Sequence, residues 1–405
     1  MALRKKQRLR KQKHRSGRTI RSVRHHSDAF QRGKIDGFHR GKEDGFAQGQ
    51  SMARTMMENT AVESVDPPHP AMDVLVITAG MIPSLEIGIV QPLDALKNRE
   101  NLQFEVKQEH EVSKEMIAAA KTVVFLRNVE PAAYTLLEWA KGMRKRTVYV
   151  IDDNFLEIQP TTPVGLYYSN PVLRDTFIKF LTSADIVKVD APDLGAYIER
   201  KFNRKVVYFP ASVDFDWLDQ QPRRDKEIGP IVIGYEGGAK DEDFAPVVPA
   251  LKKILDYYGG FVRMEFYGYI PAALADHPSV KYDEGGLDYK SFMQKLNQCN
   301  WDIGLAPLGD NIFNKGKTNN KFREYGACRI PGIYSNSPVY AQWITHGDNG
   351  FLVPHTEKGW FEGIREMIEN PSMRINIREN AETSARVHFS LNTCIDNWKN
   401  TILET

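Results

Sequence analysis

Two lysines and a glutamate share one eight-residue window, K-T-N-N-K-F-R-E, as Lys317, Lys321 and Glu324. A spacing of four sets Lys317 and Lys321 on one helical face, and near a helix start the dipole adds positive potential. Two cations so placed suit a diphosphate. Gly237 and Gly238 follow a short apolar run in I-G-Y-E-G-G-A-K. Lacking side chains, their N–H groups can approach an anion closely, although a bare turn reads the same way. Asp152 and Asp153 end the run V-Y-V-I-D-D-N-F. Such a pair can position or deprotonate a hydroxyl, hold a divalent ion, or simply cap a turn. Arg127, closing Val123–Arg127, reaches an anionic group if its strand end faces the same crevice. None of the ten histidines has metal-ligand spacing to another; His346 and His388 read as structural or surface residues. Cys299, Cys328 and Cys394 are widely spaced, which speaks against a disulfide framework and a zinc site and fits a reducing compartment. No metal and no cofactor are expected.

The elements that must position these groups alternate along most of the chain. At 405 residues, 41% hydrophobic and 26% charged, the sequence has material for two sizeable cores. No apolar run approaches the length needed to cross a bilayer, and the first residues lack the apolar centre of a secretory signal. From residue 71, short apolar runs alternate with amphipathic segments of helical length, the signature of parallel α/β architecture. Strands are expected at Asp73–Thr78, Phe104–Lys107, Thr122–Leu126, Thr147–Ile151, Ile186–Val189 and Val206–Phe209. Helices such as Ala132–Gly142 and Val172–Leu181 lie between them. Residues 215–229 are charged, contain a proline and break the pattern, so they read as a linker. A second array follows, with strands at Ile231–Gly234, Arg263–Tyr267, Val280–Tyr282, Ile303–Ala306, Gly332–Tyr334 and Gly350–Val353. Asp288 is placed to cap a helix carrying Phe292 and Leu296, and Pro371 to open another. Two Rossmann-like domains, 71–214 and 230–389, are therefore predicted, with ligands expected in the cleft between them.

The first 70 residues differ in kind. Residues 1–24 hold eleven Lys or Arg and no acid, and removing those charges from the net +2 leaves −9 for residues 25–405. The arm reads as a solvated, largely disordered tail, or as an anchor for an anionic membrane surface, nucleic acid or a phosphate-rich polymer. Glycines recur every four residues from Gly33 to Gly49, within a repeat spanning 30–49. Each helical Gly costs about 1 kcal/mol relative to Ala, so a helix here needs a close partner. Residues 30–49 are either a flexible linker or a self-association segment.

The stretch from Asp302 to Pro354 (D-I-G-L-A-P-L, then K-T-N-N-K-F-R-E, a small-residue helix, G-I-Y-S-N and G-D-N-G-F-L-V-P) resembles the donor-binding half of the retaining GT-B glycosyltransferases of the group-1, family-4 set. Five elements match in order and spacing over about fifty residues. Weaker likenesses occur at Val206–Asp214, at Ile233–Lys240 and at His388–Leu403; the last is similar to a final helix that crosses back onto the first domain, here 390–405. Residues 1–70 match nothing in the family. The resemblance implies transfer of a hexose from a nucleoside-diphosphate sugar to an acceptor hydroxyl, with retention and without a metal. The acceptor classes that the resemblance implies are a surface polysaccharide, a lipid-linked sugar or a protein. It also implies Glu324 on the ribose hydroxyls and Gly237, Gly238, Lys317 and Lys321 on the diphosphate, with Asp152, Asp153 and Arg127 on the acceptor side. Many relatives carry a second glutamate eight positions before the first, where this chain has Gly316. The expected location is the cytoplasm of a bacterium or phage-infected cell, peripherally at the inner face of the membrane if the arm anchors there. Two other readings follow from Gly316 and the arm: an inactive GT-B-like scaffold working through its tail, or a glycosyltransferase acting on nucleic acid.

Overall fold

The computed structural model describes residues 71–223 and 228–404; the basic arm and the glycine repeat lie outside the described residues. All twelve expected strands form. The first sheet comprises β1 (Met72–Thr78), β2 (Phe104–Gln108), β3 (Ala120–Leu126), β4 (Arg146–Ile151), β5 (Ile186–Val189) and β6 (Val207–Tyr208), in the order β2-β1-β3-β4-β5-β6. The second comprises β7 (Ile231–Glu236), β8 (Val262–Tyr267), β9 (Val280–Asp283), β10 (Ile303–Ala306), β11 (Gly332–Ser335) and β12 (Phe351–Val353), in the order β12-β11-β10-β7-β8-β9. Every pairing is parallel.

Parallel strands covered on both faces must be apolar on both, and these are. In β1, Leu75 and Ile77 face the core built on helices Pro131–Gly142 and Pro171–Ser183, while Val74 and Val76 face helix Gln91–Glu100. β6 spans only two residues because Pro210 follows Phe209 and cannot donate to the ladder. Asp288 caps its helix by accepting from Ser291 N at 3.0 Å, burying Met293 and Leu296, and Pro371 opens the long helix Pro371–Phe389.

The segment 215–229 begins with a short helix, Phe215–Leu218, rather than an extended connection. Its Phe215 and Leu218 are buried among Val232, Met293 and Leu296 and so extend the second core. The chain returns at its end: helix Leu391–Trp398 lays Cys394, Ile395 and Trp398 onto the Val74 face of the first sheet. Trp398 is fully buried, its indole N–H donates to Gly88 O at 2.9 Å, and its ring meets Phe209 edge-on at 5.9 Å. Trp398→Ala should lower unfolding free energy by about 3–5 kcal/mol in urea titrations. A change below about 1 kcal/mol would mean that this helix does not close the first core.

Candidate active site

In each sheet, two neighbouring strands send their connections to opposite sides, and a crevice opens beyond their carboxyl ends. In the second half those strands are β7 and β10. β7 ends in Glu236, followed by Gly237 with φ +137°, a backbone state in which a side chain is strained. A Cβ at Gly237 would lie 2.9 Å from the Tyr235 hydroxyl and 3.4 Å from Lys321 Nζ. Its N–H, however, donates to Tyr267 O at 3.0 Å and prolongs the β7–β8 ladder. Gly237 therefore clears space rather than offering a donor. Gly238 is exposed, with nothing within 4 Å of where its Cβ would be, and its carbonyl accepts from the Tyr235 hydroxyl at 3.4 Å.

Lys317 and Lys321 reach this crevice by different routes. The helix starts at Asn320, so Lys321 sits in its first turn, while Lys317 belongs to the preceding turn, its N–H bonded to Asn314 O at 3.1 Å. The two do not share a helical face. Thr318 and Asn319 delay the helix: the Thr318 hydroxyl bonds the Asn320 side chain at 2.7 Å, and Asn319 takes a non-helical φ/ψ. A third lysine, Lys240, closes the glycine loop and was not singled out from sequence. It keeps about a quarter of its side chain accessible (27%), and its ammonium is pushed down to about 8, chiefly by burial and then by the charge of Lys317.

Each ammonium is answered by a carboxylate. Lys240 lies 3.6 Å from Asp243, Lys317 3.5 Å from Asp153, and Lys321 pairs directly with Glu236. Asp243 also fixes the loops: one carboxylate oxygen accepts from Gly309 N at 2.8 Å and from Asn314 Nδ2 at 2.9 Å. Glu324, one turn beyond Lys321, is buried and held 3.3 Å from the Arg323 guanidinium. Burial raises its carboxyl to about 7, and Glu236 adds to the rise, against the opposing pull of Arg323 and Lys321. Glu236, Lys240 and Asp243 carry no motif signal beyond the glycine loop that they flank.

On the first half, Asp152 and Asp153 follow β4. Asp152 is buried and takes the Arg127 guanidinium through both oxygens, with the Ser84 hydroxyl as a further donor. Burial alone would raise its carboxyl; the charge and hydrogen bonds of Arg127 outweigh that and hold it below the ordinary value. Arg127 has φ 56° and lies over the Phe155 ring at 5.1 Å, so strained backbone aims it inward at Asp152. Two of the three groups expected on the acceptor side, Arg127 and Asp152, are thus engaged with each other. Asp153 alone of the pair points across the crevice. Next to it, buried Asn154 packs on Gly316: a Cβ at Gly316 would stand 3.0 Å from Asn154 Cβ. The space that a side chain at position 316 would need is closed by Asn154 from the opposite half.

A cavity of about 340 Å³ opens elsewhere, along β8, where Arg263 pairs with Glu265 at 3.2 Å and Lys295 with Asp283 at 2.5 Å. The lysine crevice is the better candidate because its charges converge from separate elements.

Arg127→Ala should cost about 3–5 kcal/mol at neutral pH, since it leaves the Asp152 carboxylate buried and unpaired. Because the folded carboxyl lies below its unfolded value, the pair's contribution is present above about pH 4 and fades as pH falls. The gap between wild type and variant, read from urea midpoints, should therefore narrow on acidification; a gap independent of pH would contradict the pairing.

No family model and no curated protein matches the chain. Solved structures do. HepE of Anabaena, crystallised with UDP-glucose, superposes with a TM-score of 0.61 at 14% identity, covering 82% of this chain and all of that one. A glycosyltransferase from Rickettsia africae gives 0.56 at 13% identity with the same coverage. Sucrose-phosphate synthase from Thermosynechococcus elongatus gives 0.59 at 10% identity, covering 81% of this chain and 97% of that one. With its two six-stranded parallel sheets facing a shared crevice, the chain has the GT-B fold.

Proposed function

We propose that this protein transfers a hexose from a nucleoside-diphosphate sugar to an acceptor hydroxyl, with retention and without a metal ion. The observation that carries the reading is the convergence of Lys240, Lys317 and Lys321 at the carboxyl end of β7, with Glu324 beside them. As the bond from the sugar to the diphosphate breaks, negative charge grows on the phosphate oxygens, and ammonium groups fixed at that place stabilise it directly. Glu324, when ionised, accepts two O–H bonds from the ribose. The similar folds include proteins solved with UDP and UDP-glucose, which supports a uridine donor as the first to try. The acceptor is a surface polysaccharide, a lipid-linked sugar or a protein. No helix among the described residues is long and apolar enough to cross a membrane, which accords with action in the cytoplasm or at its membrane face.

A screen of UDP-, GDP- and ADP-sugars, scored by nucleotide release, tests the reading; no release from any donor would refute it. Lys321→Ala and Glu324→Ala should each lower turnover about tenfold or more, a loss of about 1.4 kcal/mol of transition-state interaction. Wild-type rates in both would place the donor elsewhere. The raised Glu324 carboxyl gives this site a sign in pH. Below about 7 it is protonated and a weaker acceptor, so donor KM should rise as pH falls from 7 to 6, a window in which Lys240, pushed down to about 8, is already charged. The diphosphate of an intact nucleotide sugar does not titrate there, and Glu324→Gln should flatten the profile. An unchanged pH profile in that variant would remove Glu324 from the donor site.

A further inference from the structure

The lysine turn of the second half touches the first half at two adjacent residues: Lys317 pairs with Asp153 at 3.5 Å, and Gly316 packs on Asn154. The three lysine–carboxylate pairs differ in how firmly they are held. Asp243 is fixed by Gly309 N and Asn314 as well as facing Lys240, and the Lys321–Glu236 pair is shielded, with side-chain exposures of 14% and 10%. The Lys317–Asp153 pair stands at 3.5 Å and leaves 21% and 24% of its side chains in contact with solvent, its carboxylate being the most exposed of the three. It is also the one pair of the three whose partners lie on opposite halves.

Resting on the donor reading above, we propose that Asp153 is a resident competitor for the donor diphosphate. It neutralises Lys317 while the crevice holds no nucleotide, and the arriving diphosphate displaces it. Displacement turns its carboxylate toward the acceptor side, where it accepts a hydrogen bond from the acceptor hydroxyl. The exchange orders the two substrates, donor before acceptor, because the acceptor's anchoring group is engaged until a nucleotide is bound.

The physical argument is a comparison of magnitudes. A partly exposed ion pair at this distance contributes about 0.2–1 kcal/mol, so it is readily exchanged. A diphosphate carries two charges and meets Lys240 and Lys321 as well as Lys317, a set whose mutual repulsion already lowers the Lys240 ammonium. Two neighbouring carboxylates remain where they are, since Asp152 is locked by Arg127 and Asp243 by the loops. Only Asp153 is free to move on exchange without leaving a buried charge unpaired.

The test is calorimetric titration of wild type and Asp153→Asn with UDP and, separately, with inorganic pyrophosphate, with melting curves alongside to show that both are folded. The exchange requires the variant to bind both probes about two- to fivefold more tightly, the equivalent of the pair's strength, while acceptor-dependent transfer falls. In a Lys317→Met background, Asp153→Asn should leave affinity unchanged. Should UDP bind the wild type and Asp153→Asn bind it equally or less tightly, the exchange is overturned while the donor site stands. Should no nucleoside diphosphate bind the wild type, the donor reading falls and the exchange with it. Asp153→Ala serves as a second variant with the same expected direction.

Discussion

Three ammonium groups brought to one crevice repel one another, and the second half is organised around making that arrangement tolerable. Each has a carboxylate from a different element: Glu236 from the end of β7, Asp243 from the short helix Asp241–Phe244 after the glycines, Asp153 from across the crevice. The residual strain registers in Lys240, whose ammonium is lowered by burial and by Lys317. Positive charge is thereby stored where no side chain fully consumes it. A site of this kind favours an anion that meets all three lysines together, since it relieves repulsion that single counter-ions leave in place.

The two halves are joined by more than this pair. Arg323, next to Glu324, is almost completely buried, and its guanidinium reaches Ala211 O at 3.3 Å as the chain leaves the first half. Nearby, Lys188 is fully buried against Asp190, with Phe209 under its ammonium at 4.4 Å. Burial raises the Asp190 carboxyl, and the charges of Lys188 and Arg323 work against that rise. Glu324 thus stands at one end of a line of buried charges that runs to the last strands of the first sheet. Removing one member leaves another uncompensated, so these positions tolerate substitution poorly.

Strands and fold were legible because each of these parallel strands is covered on both faces and must be an apolar run. β1 and β3 announce themselves in this way whatever lies around them. That Lys321 and Glu324 stand close together was legible because their spacing is local: they fall on consecutive turns of one helix. What escaped was whatever depends on distant partners. Asp153 is 164 residues from Lys317, and Glu236 is 85 residues from Lys321. Read singly, Glu236 is the last residue of a strand and Arg127 a cation at a strand end. Nothing local says that Arg127 turns inward on Asp152, or that the space opened by Gly316 is filled by Asn154. The shared helical face expected for Lys317 failed for a local reason, the competition of Thr318 and Asn319 with the helix backbone.

The returning C-terminal segment bears on how the crevice can open. Where the chain first passes between halves, Val213 N donates to Phe389 O at 2.8 Å, and where it passes back, Leu391 N donates to Val213 O at 3.1 Å. The two passages therefore run side by side and are stitched together by backbone. Two crossings bound side by side resist twist between the halves more than a single strand of chain would, so a ligand that spans them meets two faces held in register.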